Sequence, residues 1–83
     1  MTLTELKYIV AVAREKHFGR AADACFVSQP TLSVSIKKLE SELKTQIFER
    51  GTSEISLTDV GQKIVDQAQF VLDEASKVKL IAD

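Results

Sequence analysis

The sequence predicts a mainly α-helical domain: three short helices, a small β-hairpin and one long C-terminal helix. Three observations carry this. Apolar residues recur at three- and four-residue spacing in the stretches that begin at Leu6, Leu32 and Ile64. Thr2, Ser28 and Thr58, all good helix N-caps, stand just ahead of those stretches. The helical period stops between Gln46 and Leu57, where β-compatible residues flank Gly51-Thr52-Ser53.

Thr2-Leu3-Thr4-Glu5 fits a capping box, in which Thr2 accepts from the amide of Glu5 and Glu5 reaches back to the amide of Thr2. Leu6, Ile9, Val10 and Ala13 then form the apolar stripe of a first helix that runs to about Lys16. The Phe18-Gly19 step breaks the pattern, and Arg20 to Cys25 follows as a second helix of about two turns, with small side chains that permit close approach. Ser28 caps a third helix with Pro30 in its first turn, where the missing N–H costs nothing. Leu32, Ile36, Leu39 and Leu43 lie within about 60° of arc on this helix and must face the core. Pro30, Val34, Lys37, Lys38 and Ser41 fill the opposite side, flanked by Thr31 and Ser33. Ile47 to Arg50 and Glu54 to Leu57 read as the strands of a hairpin. Thr58 caps a last helix that runs to about Ala82. Ile64, Ala68, Val71, Ala75, Val78 and Ala82 alternate four and three along it, widened by Val65 and Leu72, as in a coiled coil. At 1.5 Å per residue this helix is about 37 Å long. That exceeds what a small core covers, so much of the stripe is expected to form a homodimer seam.

With 45% hydrophobic and 28% charged residues and only three Gly and one Pro, the chain of 83 residues is one small folded unit. The start has neither the basic nor the apolar part of a signal peptide, and no stretch approaches a membrane span, so a cytoplasmic location is expected. One cysteine forms no internal disulfide, and a single His17 makes no metal set. Neither a metal nor a cofactor is expected. No nucleophile stands with a base, and there is no Gly-rich phosphate loop, so an enzyme is not expected. Net charge is −1, but its distribution is uneven. Residues 14–50 hold seven basic and five acidic groups, residues 51–83 three basic and six acidic, so a polyanion surface belongs to the first part.

A short helix, a tight turn and a capped helix with one buried and one polar face is the helix-turn-helix arrangement, whose second helix can enter the major groove of double-stranded DNA. Ser28, Thr31, Ser33 and Ser35 crowd that polar face, although Ser and Thr are mediocre helix formers away from a cap. Their short hydroxyls and Gln29 suit base edges and phosphates, and Val34 suits a thymine methyl. Lys37, Lys38, Arg20 and Arg50 are placed to reach flanking phosphates. Cys25 reads as a small core hydrophobe and His17 as a helix-end or surface residue. The competing reading is a helical protein-interaction and dimerisation module without DNA binding, which the slightly acidic net charge favours.

Phe18, Ala21-Ala22, Ser28 to Ser33, Ile36, Leu39-Glu40, Leu43, Phe48, Arg50, Leu57-Thr58 and Gly61 together resemble the LysR-type transcriptional regulators. The resemblance implies a winged helix-turn-helix over residues 1–57, with the hairpin as the wing, and a linker and dimerisation helix over residues 58–83. It further implies DNA contacts from Gln29 to Lys38 and from the wing, with Ser53 at its tip, on a dyad-symmetric promoter site. Linker helices of two subunits would pair antiparallel, and full-length members are usually tetramers. His17-Phe18, Arg20 to Asp23, Cys25 and Val27 to Ser33 most resemble the OxyR-like, peroxide-responsive branch. Such proteins carry a large C-terminal effector domain, which these residues do not include. Two departures stand out: Lys44 occupies a position where the family often has Gly, so the exit from the third helix is expected to differ, and Ser53-Glu54 replace a basic wing residue. Cys25 stands where the family commonly has Leu, in keeping with a core role.

Overall fold

Six elements follow one another in the computed structural model, which describes residues 1–51 and 54–83: α1 (Leu3–Glu15), α2 (Phe18–Ala24), α3 (Gln29–Leu43), β1 (Phe48–Arg50), β2 (Ile55–Leu57) and α4 (Asp59–Ala82). The capping box of α1 forms as its residues dictate: Thr2 Oγ1 accepts the Glu5 N–H at 3.1 Å, and Glu5 Oε1 accepts the Thr2 N–H at 2.8 Å. Helix α1 is the hub, packed against α2, α3 and α4. It buries Leu6, Ile9, Ala11 and Val12, a stripe turned slightly from the expected one, with Val10 and Ala13 only half-buried. Cover on three sides selects a wider face than a single neighbour would.

The start of α2 corrects the sequence reading. Phe18 and Gly19 do not interrupt the helices but open the second one, because His17 supplies the N-cap: its Nδ1 accepts the Arg20 N–H at 3.0 Å. Phe18 is thereby carried into the core beside Ala21 and Ala22. After Cys25, Phe26 adopts the left-handed region at φ 58°, and the Val27 N–H returns to the Ala22 carbonyl at 3.0 Å, closing the turn into α3.

Helix α3 is capped by Ser28, whose Oγ accepts the Thr31 N–H at 3.2 Å. It buries Leu32, Ile36 and Leu39, with Leu43 half-buried beyond them. It ends at Lys44, which takes the left-handed conformation (φ 53°) so that the Thr45 N–H reaches the Glu40 carbonyl at 3.0 Å. The exit therefore has the geometry a glycine would supply, at the steric cost of a Cβ.

The two strands pair antiparallel, Phe48 with Leu57, Glu49 with Ser56 and Arg50 with Ile55. They are shorter than the segments read from sequence because Ile47 leaves the ladder for the core, where it is fully buried. Its N–H goes to Glu40 Oε2 at 2.7 Å, and its carbonyl accepts the Thr58 N–H at 3.0 Å. Thr58 Oγ1 donates to the Gln46 carbonyl at 2.7 Å and accepts the Gly61 N–H at 2.8 Å, so one side chain both caps α4 and ties it to the wing. A Cβ at Gly61 would collide with the Ile47 carbonyl, a backbone group that cannot step aside.

Helix α4 packs against α1 and shares its core. Val65 (7% exposed) and Ala68 (2%) are buried within this chain, so these two residues of the expected dimer seam are taken by the protein's own core. Ile64, Val71, Leu72 and Ala75 are half-buried, and every residue from Ser76 onward is exposed. The turns beyond Ala75 extend past the reach of α1 and give the molecule its 46 Å long axis. Among the described residues no helix is long and apolar enough to cross a membrane.

Two substitutions test these joints. Lys44→Gly removes the left-handed strain and is expected to raise stability by about 1 kcal/mol, shifting Tm up by roughly 4–8 °C in a thermal melt. Gly61→Ala is expected to lower stability by about 1–3 kcal/mol by overpacking against the Ile47 carbonyl, in spite of alanine's better helix propensity; an unchanged Tm would show that the joint yields.

Candidate nucleic-acid interface

Burying Leu32, Ile36 and Leu39 leaves one face of α3 outside, and that face holds the residues singled out in the sequence. Gln29, Pro30, Thr31, Val34, Lys37, Lys38 and Ser41 are exposed, and Ser33 and Ser35 are half-buried at its margins. Val34, 66% exposed, is an outward apolar residue on this face. The helix is held rigidly from beneath, so its outward side chains project from a fixed platform.

Ser28 belongs to a different category from its neighbours. Its Oγ is committed to the cap and donates to Thr31 Oγ1 at 2.9 Å, so its hydroxyl serves the start of α3 and the orientation of Thr31. Arg20 is also partly engaged: Nη2 donates to the Glu15 carbonyl at 3.2 Å, and Nε lies 3.9 Å from the Glu15 carboxylate, on the C-terminal end of α1. The side chain remains 63% exposed, so this pairing is weak and exchangeable.

The wing contributes through β1. Alternation along the strand puts Phe48 and Arg50 on one side and Glu49 on the other. Phe48 meets Phe18 edge-on, with ring centroids 6.5 Å apart, and the Arg50 guanidinium lies 4.6 Å from the centroid of the same Phe18 ring. Arg50 and Lys37 line a recess between α3 and β1 whose wall is Phe18, Ile36 and Phe48. Glu40 also borders it, but its Oε2 is turned to the N–H groups of Ile47 and Phe48 at 2.7 and 3.2 Å. The sequence places Arg50 in the hairpin but does not show the link through Phe18, which period-2 spacing in so short a strand does not advertise. Ser53, expected at the wing tip, lies outside the described residues.

Cys25 caps the C-terminus of α2 and is half-buried rather than fully buried. Burial pushes its thiol above the usual range, outweighing the opposing effect of Arg14 and Lys7, so little of it is the reactive thiolate at neutral pH. Several large apolar residues outside the expected seam are also exposed on α4: Phe70, Leu80 and Ile81. The four-three spacing did not reveal them because they lie off its stripe.

Comparison with known proteins places this geometry. The profile of the bacterial regulatory helix-turn-helix proteins of the lysR family matches residues 3–62. The DNA-binding transcriptional dual regulator OxyR of Escherichia coli K12 is 48% identical over 82 residues, which cover 99% of this chain and 27% of that protein. A full-length OxyR variant from Pseudomonas aeruginosa superposes with a TM-score of 0.94 at 61% identity, over 99% of this chain and 28% of that one. The DNA-binding domain of BenM, solved in complex with a benA site DNA, gives a TM-score of 0.94 at 35% identity over 99% of this chain and 92% of that one. That of CbnR, also in complex with DNA, gives 0.92 at 30% identity, over 99% and 94%. The chain thus spans about a quarter of the full-length regulators it matches and nearly the whole of the separate DNA-binding domains. With the profile running from α1 into α4 and the fold matched throughout, the chain belongs to the LysR family of bacterial regulatory helix-turn-helix proteins.

Proposed function

We propose that this chain is the sequence-reading part of a bacterial transcription regulator, binding a dyad-symmetric double-stranded DNA site as a homodimer, and that the protein it belongs to responds to hydrogen peroxide. The observation that carries the DNA reading is the outward face of α3, a capped and buried-backed helix with Gln29, Thr31, Val34, Lys37 and Lys38 exposed beside a wing. BenM and CbnR domains of the same fold, solved with DNA, support it. The peroxide response rests on the likeness to OxyR proteins along the whole chain. It is a binding function carried out in the cytoplasm, not catalysis.

In this reading α3 lies in the major groove. Gln29, Pro30, Thr31, Ser33 and Val34 near its N-terminus meet base edges, Gln29 suited to adenine and Val34 to a thymine methyl. Lys37, Lys38, Arg20 and Arg50 contact flanking phosphates. Arg20 exchanges Glu15 for phosphate at little cost, since its present pairing is solvent-exposed. Helix α4 completes the core with its first half and offers Ile64, Val71, Leu72, Ala75, Val78 and Ala82 to the same helix of a second copy. Two recognition helices held this way match a site with twofold symmetry.

Selection of the chain on pooled random duplexes at two salt concentrations tests the reading: enrichment of an inverted repeat, bound more weakly at high salt, is the expected result, and no enrichment refutes it. On the selected site, Gln29→Ala or Ser33→Ala should relax base preference at single positions by about 1–3 kcal/mol, whereas Lys37→Ala should weaken all sequences alike and flatten the salt slope by about one. Equal effects of all three would remove the division between reading and positioning. Val78→Asp, at a residue 69% exposed in the single chain, should raise the dimer dissociation constant about tenfold or more without altering the fold, as read by sedimentation.

A further inference from the structure

Phe18 stands at the junction of three elements: its backbone begins α2, its ring edge meets Phe48 of β1, and its face carries Arg50. A guanidinium on an arginine at a strand end samples many rotamers and gives up much of that freedom when it grips a phosphate. Stacking on a buried ring removes much of that loss beforehand, and arginine is the residue whose planar, weakly hydrated head suits such a face. The ring is itself held in place, because Phe18 is buried in the core and its ring meets that of Phe48. The stacked guanidinium borders the recess that Lys37 of α3 enters from the other side. Glu40, which also borders the recess, accepts two backbone N–H groups through Oε2, and among the described residues no carboxylate forms an ion pair with Lys37 or Arg50.

We propose that Phe18 is a positioning residue for DNA binding: its ring holds the Arg50 guanidinium at the rim of this recess, so that Arg50 from the wing and Lys37 from α3 grip one stretch of phosphate backbone from two sides. The proposal rests on the DNA reading above and adds to it a residue that touches no DNA. It also gives the wing a role in register: Arg50 is fixed relative to α3 through the core.

The test is a double-mutant cycle between Phe18→Leu and Arg50→Ala, with binding to sonicated mixed-sequence duplex DNA followed as a function of salt, where phosphate contacts dominate affinity. Arg50→Ala should lower affinity about five- to tenfold and reduce the salt slope by about one. Phe18→Leu, which keeps an apolar side chain but no π face, should reproduce most of both effects, and in the Arg50→Ala background it should change neither. All measurements are made below the melting transition of each variant. If Phe18→Leu does not fold, Phe18→Met refills the volume with a flexible side chain and takes its place. A purely structural Phe18 would lower affinity by the same factor in both backgrounds and leave the slope untouched, which overturns the proposal. So does a Phe18 variant that binds as wild type while Arg50→Ala flattens the slope. Wild-type chain without salt-dependent binding would instead defeat the DNA reading itself, and the proposal with it.

Discussion

The peptide groups of Ile47 are the constraint on which the second half of the molecule depends. The N–H is taken by the Glu40 carboxylate from α3, and the carbonyl by the backbone of Thr58 at the start of α4. The side chain is sealed in the core. A charge-assisted hydrogen bond of this kind is roughly twice as strong as a neutral one, and in a part-buried place its loss strands a backbone donor. Recognition helix, wing and long helix therefore meet at one residue. Gly61 belongs to the same joint, since only the absence of a Cβ lets α4 approach the Ile47 carbonyl. Through Glu40 the position of the wing is set by α3, so the two elements are not independent of each other.

The charge of the molecule is unevenly distributed. A net charge of −1 conceals an exposed basic face on α3 and β1, while acidic residues such as Asp66, Asp73 and Glu74 lie along α4. Separation of this sort favours one docking orientation on a polyanion, because the wrong face is repelled. It also explains why Glu15 and Glu40 coexist with the basic residues at no loss of purpose: one steadies Arg20 loosely, the other is absorbed by backbone donors.

Much of the fold was legible in the residues, and the exceptions have physical causes. The caps at Thr2, Ser28 and Thr58 and the buried stripe of α3 formed as their spacing demands. The beginning of α2 was misplaced because Phe18-Gly19 reads as an interruption, and only the His17 ring, an infrequent cap, turns it into a first turn. The exit of α3 was expected to differ for want of glycine, yet Lys44 accepts the left-handed conformation because Glu40 and Ile47 over-determine the turn. The stripe of α4 reads in sequence as one seam, but tertiary packing divides it: Val65 and Ala68 are buried in the core, Val71 and Leu72 pack half-buried against it, and Val78 and Ala82 are exposed. The outward position of Gln29, Pro30, Thr31, Val34, Lys37 and Lys38 on α3 was legible in the spacing, Ser33 and Ser35 are half-buried, and Ser28 forms the cap its position in sequence indicates. The Phe18–Arg50 contact was not readable at all, since it joins residues far apart in sequence through a turn of the chain.

Helix α4 carries neither glycine nor proline from Gln62 to Ala82, and its first turns are locked to α1 while its last are free. It is a stiff lever of about 36 Å with no hinge of its own. Force applied at the free end is delivered to α1 undiminished by bending, and α1 is the hub against which α2 and α3 rest. Mechanically, a displacement at the far end of α4 is passed to α1, and with it to α2 and α3, as movement of the whole packed head and not as a change in its internal shape.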